Sequence, residues 1–331
     1  MSAPAPGREV GPGEMARAIA DDPGPCTLAT HRNPDGDAIG SLLGLARALR
    51  AQGRDVVMWH PDRPPVPEEL AFLVAPGEAV VTQLPPDAAA RTLIVLDCAS
   101  ERRLADAPPA DLGRRILNID HHHDNSRFGE LNLVDPAASS TAELVARVLE
   151  AAGWPIDRTV AEPLYVGLVT DTGRFMYSNT SPEAHRVAGV LLAAGVDAAA
   201  MGRTLYESVP LVRARLLGRG LAGAETLLDG RLVYLALGPD DFAAAGTDDA
   251  DGLVEALRGI RGVDVAAVAL CRADGATRVS LRAANPAVDV SAIAHAEHGG
   301  GHPAAAGFTT HRSQDDLRRW LAAEVGSRLD G

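Results

Sequence analysis

The chain has no lysine: all 31 of its basic residues are arginine, and against 44 acidic residues they leave a net charge of −13. A protein that coats long nucleic acid needs a basic field that neutralises many phosphates. This composition excludes such a field over the molecule as a whole. Any phosphate must be met locally, by cations and a few arginines. Cysteine is scarce as well. Cys26, Cys98 and Cys271 are odd in number and far apart, which excludes a disulfide framework. They read as reduced, buried small hydrophobes, and a cytoplasmic protein is expected. No apolar run reaches the roughly 18 residues that span a bilayer. The first residues, MSAPAPGREVGPGEM, hold no basic region followed by an apolar stretch, so no secretory signal is expected.

What is present is globular. The apolar fraction of 46% and charged fraction of 23% exclude disordered, collagen-like and coiled-coil classes. A length of 331 residues exceeds one ordinary core, so two domains are expected. Residues 1–13, rich in Ala, Pro and Gly, are expected to be disordered. From Cys26 onward, strands alternate with helices. CTLATH (26–31), DVVMW (55–59), TLIVLD (92–97) and RRILNID (114–120) read as strands. Asp37–Gly53, Ser140–Ala152, Thr159–Val169 and Pro182–Ala194 read as helices. The alternation predicts an α/β fold: a parallel sheet with helices on both faces. After about residue 205 the pattern changes. An amphipathic stretch, 209–222, precedes RLVYLAL (231–237), VDVAAVALCR (263–272) and TRVSLRA (277–283), with helices near 251–258 and 288–298 and from Ser313. This predicts a smaller α/β unit with a mixed sheet. The boundaries expected are 14–205, a helical linker at 206–225, and 226–331.

Four short segments carry chemistry. In HRNPDGDAIGS (31–41), His31 closes a strand, Asn-Pro-Asp-Gly is a tight turn, and Asp37 begins a helix where Asp is also a good N-cap. The turn brings His31, Asp35 and Asp37 to one sheet edge. Asp97 ends TLIVLD, and ligands of parallel sheets bind at that edge. ILNID delivers Asp120, His121, His122, His123 and Asp124 to the same place. Asp171, in LVTDTGRF, follows an apolar helix and precedes a Gly. Each segment alone also has a plain reading: a capped turn for 31–41, a capping or salt-bridging acid for Asp97, a surface turn for 120–124 and a helix C-terminus for Asp171. Together, histidines and aspartates from separate strand ends can hold two divalent ions with one bridging carboxylate. Mixed N and O donors suit manganese or another borderline ion better than magnesium or calcium. Two such ions are the usual clamp for in-line attack at phosphorus.

HRNPDGD, LDCAS, IDHHH and TDTG, in this order, resemble the four motifs of the DHH phosphoesterase superfamily. GGGHPAAAGF (299–308) resembles the glycine-rich signature of the accompanying DHHA1 domain. The layout looks most like the bifunctional oligoribonuclease and phosphoadenosine-phosphate phosphatase group, whose actinobacterial members also act on cyclic di-AMP and its linear product. The resemblance implies one metal on His31, Asp35 and Asp97, and another on Asp37, Asp97, His121 and Asp171, with Asp97 as the bridge. It implies that Asp120 orients His121 and that His122 faces the phosphate as an acid or charge stabiliser. His123 is left with no role.

In the C-terminal part, Ser280 and Arg282 share a strand face. Gly299, Gly300 and Gly301 allow backbone N–H groups close to an anion, and His302 adds a donor. The same turn can be purely structural. Arg282 suits a bidentate grip on phosphate, and Arg103 is a second candidate. The expected protein is a Mn2+-dependent hydrolase of nanoRNA, pAp, pApA and cyclic di-AMP. Its partners are short RNA or nucleotides, not long polymers or membranes, with a homodimer left open. The rivals are a pyrophosphatase of the same superfamily, whose C-terminal lysines this chain lacks; a RecJ-like exonuclease, which is longer; and a non-catalytic nucleotide sensor, against which the complete ligand set argues.

Overall fold

The computed structural model describes residues 7–105 and 112–329. The chain divides into two compact units, before and after Glu207–Ser208. The first runs β1 (Arg8–Glu9), α1 (Pro12–Ala20), β2 (Cys26–Thr30), α2 (Gly36–Ala51), β3 (Val56–Trp59), β4 (Val80–Val81), β5 (Thr92–Leu96) and α3 (Glu101–Leu104). It continues with β6 (Arg115–Asp120), β7 (Leu131–Val134), α4 (Thr141–Ala152), α5 (Arg158–Asp171), α6 (Pro182–Ala193) and α7 (Ala198–Tyr206). The seven strands form one sheet in the order β1-β7-β6-β5-β2-β3-β4, and every pairing is parallel.

Strand alternation sorts side chains onto two faces. Leu28, Met58, Ile94, Leu96, Leu117 and Ile119 join a large core with α1, α2, α4, α5 and α6. Ala29, Trp59, Leu93 and Val95 point the other way into a smaller cluster whose helical member is Leu104 of α3. Helices on both faces were expected. They are there, but very unequally shared. The α2 helix is buried on nearly every side, because α5 covers the face turned away from the sheet. Gly40 permits this: a Cβ there would lie 2.3 Å from the Pro163 carbonyl oxygen.

The expectation of disorder over residues 1–13 needs correction. Residues 1–6 lie outside the described residues, but Arg8 and Glu9 pair with Leu131 and Asn132, and α1 already starts at Pro12. Proline at the first helical position costs no hydrogen bond, so a Pro/Gly-rich segment can still open a helix. Met15 and Ile19 then anchor α1 in the core.

The second unit contains α8 (Leu211–Gly223), β8 (Glu225–Leu227), β9 (Leu232–Leu237), α9 (Pro239–Ala245), α10 (Leu253–Arg258), β10 (Val265–Cys271) and β11 (Thr277–Ala283). It ends with α11 (Val290–His295), β12 (Gly300–His302), β13 (Ala305–Thr310) and α12 (Gln314–Leu329). Its six-stranded sheet runs β12-β13-β11-β10-β9-β8 and is mixed: β9 and β10 are parallel and the other pairs antiparallel. Helix α8 falls within the stretch expected to be a linker, and its Leu216 is fully buried among Val233, Leu235 and Leu253. Among the described residues no single helix is long and apolar enough to cross a membrane.

Candidate active site

The strand order reverses once. From β2 the chain steps outward to β3 and β4, then returns to the other side of β2 with β5, β6 and β7. Adjacent loops therefore diverge between β2 and β5, which opens a crevice at the carboxyl ends of these strands. His31 follows β2, Asp97 follows β5, and Asp120 ends β6. The expected site residues of the first unit converge at this switch point.

Asp97 lies at the centre. Its Oδ2 is 3.3 Å from His31 Nε2, and its Oδ1 is 3.7 Å from His121 Nε2. Asp97 itself is in the left-handed region, with φ of 55°, an uncommon conformation for a residue with a Cβ. Ligand-type atoms of His31, Asp35 and Asp97 gather within 4.8 Å of one another, and so do those of Asp37, Asp97 and His121. Asp171, the last residue of α5, brings Oδ2 to 3.6 Å from His121 Nε2. His122 turns aside: its Nδ1 meets Asp120 Oδ1 at 2.7 Å. Arg103 NH1 lies 3.3 Å from His122 Nε2. His123 is exposed.

Two local details differ from the expectation. The N-cap of α2 is Asp35, not Asp37: Asp35 Oδ1 accepts from the backbone N–H groups of Asp37 and Ala38. Asp37 sits within the first turn of α2, where its carboxylate accepts from the N–H groups of Thr141 and Ala142 at the start of α4. Asp120 holds His122 through a side-chain bond. Toward His121, its carboxylate reaches the backbone N–H.

The electrostatics follow from burial. Asp37 and Asp97 are 1% and 2% exposed. Among the described residues no arginine pairs with Asp37, Asp97 or Asp171. Burial, with Asp97 and Asp171 beside it, holds the Asp37 carboxyl well above the usual range. Burial and the nearby Asp35 and Asp97 raise Asp171 to about 7, although His121 opposes. Burial disfavours charge on His31, yet its bond to Asp97 and the charge of Asp35 lift it to about 9. His121 also reaches about 9, because Asp171, Asp97 and Asp37 outweigh its burial. Asp97 goes the opposite way, held low by three histidines despite its burial. Crowded carboxylates faced by imidazoles, with N and O donors at ligand spacing around Asp97, are a donor set that could hold metal ions.

Three contributing residues were not foreseen. Thr141 donates to Asp97, Asn125 to Asp120, and Asn179 to the backbone carbonyls of Ser139 and Asp171. SSTAE before a helix and the Asn that closes HHHDN were the available signals. Both also read as ordinary capping chemistry.

In the second unit, Ser280 and Arg282 share a face of β11. The Arg282 fork is held by Glu255 of α10, with Nε and NH2 each 3.0 Å from Oε1. Gly300–His302 form β12 against β13, with Gly301 at φ of 138°. A Cβ at Gly301 would lie 2.5 Å from the Ala305 carbonyl oxygen, so the glycine is required by the strand pairing itself. Gly299 precedes this strand.

Comparison with known proteins agrees with this picture. Residues 26–168 match the DHH family, N-terminal domain, and residues 229–324 match the DHHA1 domain. The chain is 38% identical to the bifunctional oligoribonuclease and PAP phosphatase NrnA of Thermus thermophilus, over 89% of this chain and 86% of that protein. It is 25% identical to the cyclic-di-AMP phosphodiesterase PdeA of Listeria monocytogenes, over 82% of this chain and 42% of that one. An exopolyphosphatase-related protein from Bacteroides fragilis shares the fold, with a TM-score of 0.87, 24% identity and 96% of each chain covered. With both domains matched in order and more than a third of residues shared with NrnA, the chain belongs to the DHH phosphoesterase family and is an enzyme of the DHH–DHHA1 type.

Proposed function

We propose that this enzyme is a Mn2+-dependent hydrolase of short nucleotides: nanoRNA, pApA and pAp, with cyclic di-AMP as a further substrate. The observation that carries the reading is the position of Asp97, with one carboxylate oxygen toward His31 and the other toward His121. A carboxylate so placed can serve two cations at once. His31, Asp35 and Asp97 would hold one, and Asp37, Asp97, His121 and Asp171 the other. When bound, the pair supplies charge neutralisation for in-line attack of water at phosphorus.

The chain's own groups do the rest. Asp120 keeps a proton on His122 Nδ1, and so sets which way the other ring nitrogen faces. Its bond and charge, helped by Asp97, raise His122 although burial opposes. Arg103 NH1 donates toward His122 Nε2 in this structure; with a phosphoryl group between them, the guanidinium and a protonated Nε2 would both donate to the negative charge that develops there. In the second unit, Ser280, Arg282, Gly299, Gly300, Gly301 and His302 are proposed to bind substrate phosphate. The similarity to NrnA and PdeA supports the substrate class.

The test is a substrate panel offered to the purified protein with Mn2+, with Mg2+ and after chelation, with products resolved by chromatography. Nucleoside monophosphates from pApA and short RNA, with Mn2+ only or best, are expected. Hydrolysis of pyrophosphate alone, or activity that survives exhaustive chelation, would refute the reading.

A further inference from the structure

Beneath His122 lies a chain of buried amides that the chemistry described so far does not use. Asn125 sits in the turn after β6 and is 4% exposed. Its Nδ2 donates to Asp120 Oδ2 at 2.5 Å and to Asn118 Oδ1 at 2.7 Å, and lies 3.2 Å from the Cys98 carbonyl oxygen. Asn118, fully buried in β6, in turn reaches the carbonyls of Val95 and Cys98, on either side of Asp97. The orientation of the Asn125 amide is fixed independently. Its Oδ1 accepts the Arg127 backbone N–H at 2.6 Å, so the NH2 group must face the carboxylate. The turn is also tied to the loop after β5, where the Ser126 N–H donates to the Ala99 carbonyl.

The consequence concerns Asp120. A carboxylate pivots about its Cβ–Cγ bond unless both oxygens are held. Asp120 Oδ1 accepts from His122 Nδ1 and from the His121 N–H, and Asn125 Nδ2 donates to Oδ2. Asp120 is fully buried, so no bulk solvent substitutes for a lost donor. We propose that Asn125 is a positioning residue for phosphoester hydrolysis: through Asp120 it fixes the His122 ring against the reacting phosphate. The proposal rests on the role given to His122 above. It adds that the ring is aimed from the far side of Asp120, by a buried amide in the turn after β6.

The experiment is a double-mutant cycle with the full-length Mn2+-loaded enzyme and pApA. Asn125→Ala is expected to lower kcat about 10- to 100-fold, as loss of an orienting partner does, with KM and bound Mn2+ near wild type. Asn125→Ser, which keeps a donor in a smaller side chain, is expected to restore part of the loss. In a His122→Ala background, Asn125→Ala is expected to cause no further loss, because the ring it aims is gone. Thermal unfolding of each variant is recorded alongside. Three results overturn the proposal: activity of Asn125→Ala within twofold of wild type, a full additional loss on top of His122→Ala, or loss of the folded state in both Asn125 variants. If His122→Ala itself retains wild-type kcat, the role of His122 fails first and the proposal falls with it. If His122→Ala is impaired and Asn125→Ala is not, only the positioning role is wrong.

Discussion

Thr141 Oγ1 donates to Asp97 Oδ1 at 3.0 Å, while the backbone N–H of the same residue donates to Asp37 Oδ2 at 2.6 Å. One residue, the first of α4, thus holds the shared carboxylate with its side chain and a neighbouring one with its main chain. Thr141→Val keeps the volume and the N–H but removes the hydroxyl. We expect Mn2+ affinity to fall about 10- to 100-fold, and Thr141→Ser to restore it. Calorimetric titration of the metal-free protein decides this; unchanged affinity in the Val variant would show that the hydroxyl leaves Asp97 unaffected.

Asp97→Asn should abolish turnover and reduce bound metal. An amide offers one neutral oxygen where two charged ones face His31 and His121. Metal content by mass spectrometry and kcat on pApA are the readouts. A variant with two ions and near-normal rate would exclude Asp97 as the bridge.

The pH dependence of metal uptake follows from His31 and His121, both raised to about 9 in the metal-free protein. Their ordinary value is 6.5, so each contributes stability that is fully present below pH 6.5 and is lost as pH rises through 9. A cation needs the neutral ring and must displace that proton. Mn2+ affinity should therefore rise between pH 6.5 and 9, by about tenfold per unit for each proton displaced. Titrations in buffers of different ionisation enthalpy count the protons released. An affinity that stays flat across this range would contradict the assignment.

Gly40→Ala tests the packing that supports the site. The added methyl would meet the Pro163 carbonyl at 2.3 Å and the Gly167 nitrogen at 2.9 Å, both backbone atoms that cannot swing away. We expect a loss of about 1–3 kcal/mol, read as a lower urea midpoint with an unchanged slope. An unaltered midpoint would mean that α2 and α5 can separate freely.

Arg282→Ala should weaken use of short oligonucleotides while sparing slow hydrolysis of a small generic phosphodiester. The net charge of −13 offers no long basic track, so kcat/KM should level off after a few nucleotides and decline toward about 24. Oligomer series for wild type and variant provide the check. Equal or rising efficiency for long RNA would reveal a polymer-binding surface.

Sequence by itself determined the parts that are local. Apolar strands that end in His31, Asp97 and Asp120 announce their positions, because parallel strands deliver their carboxyl ends to one edge. The spacing in HRNPDGD placed three donors on a single turn for the same reason. The glycine-rich signature near residue 300 could also be read, although only the pairing of β12 with β13 shows why a side chain is excluded at Gly301. What tertiary structure decided is everything that depends on partners far along the chain. The tail at Arg8–Glu9 acquires a strand only because β7 is there to receive it. Asp37 yields the capping role to Asp35 because the start of α4, some hundred residues later, takes up its carboxylate. Thr141 and Asn125 matter through carboxylates that reach them from other segments or other sides of a turn. Local spacing is a property of the backbone's own geometry, whereas a buried hydrogen bond across the sheet exists only after distant segments have packed. No periodicity in the chain encodes its geometry.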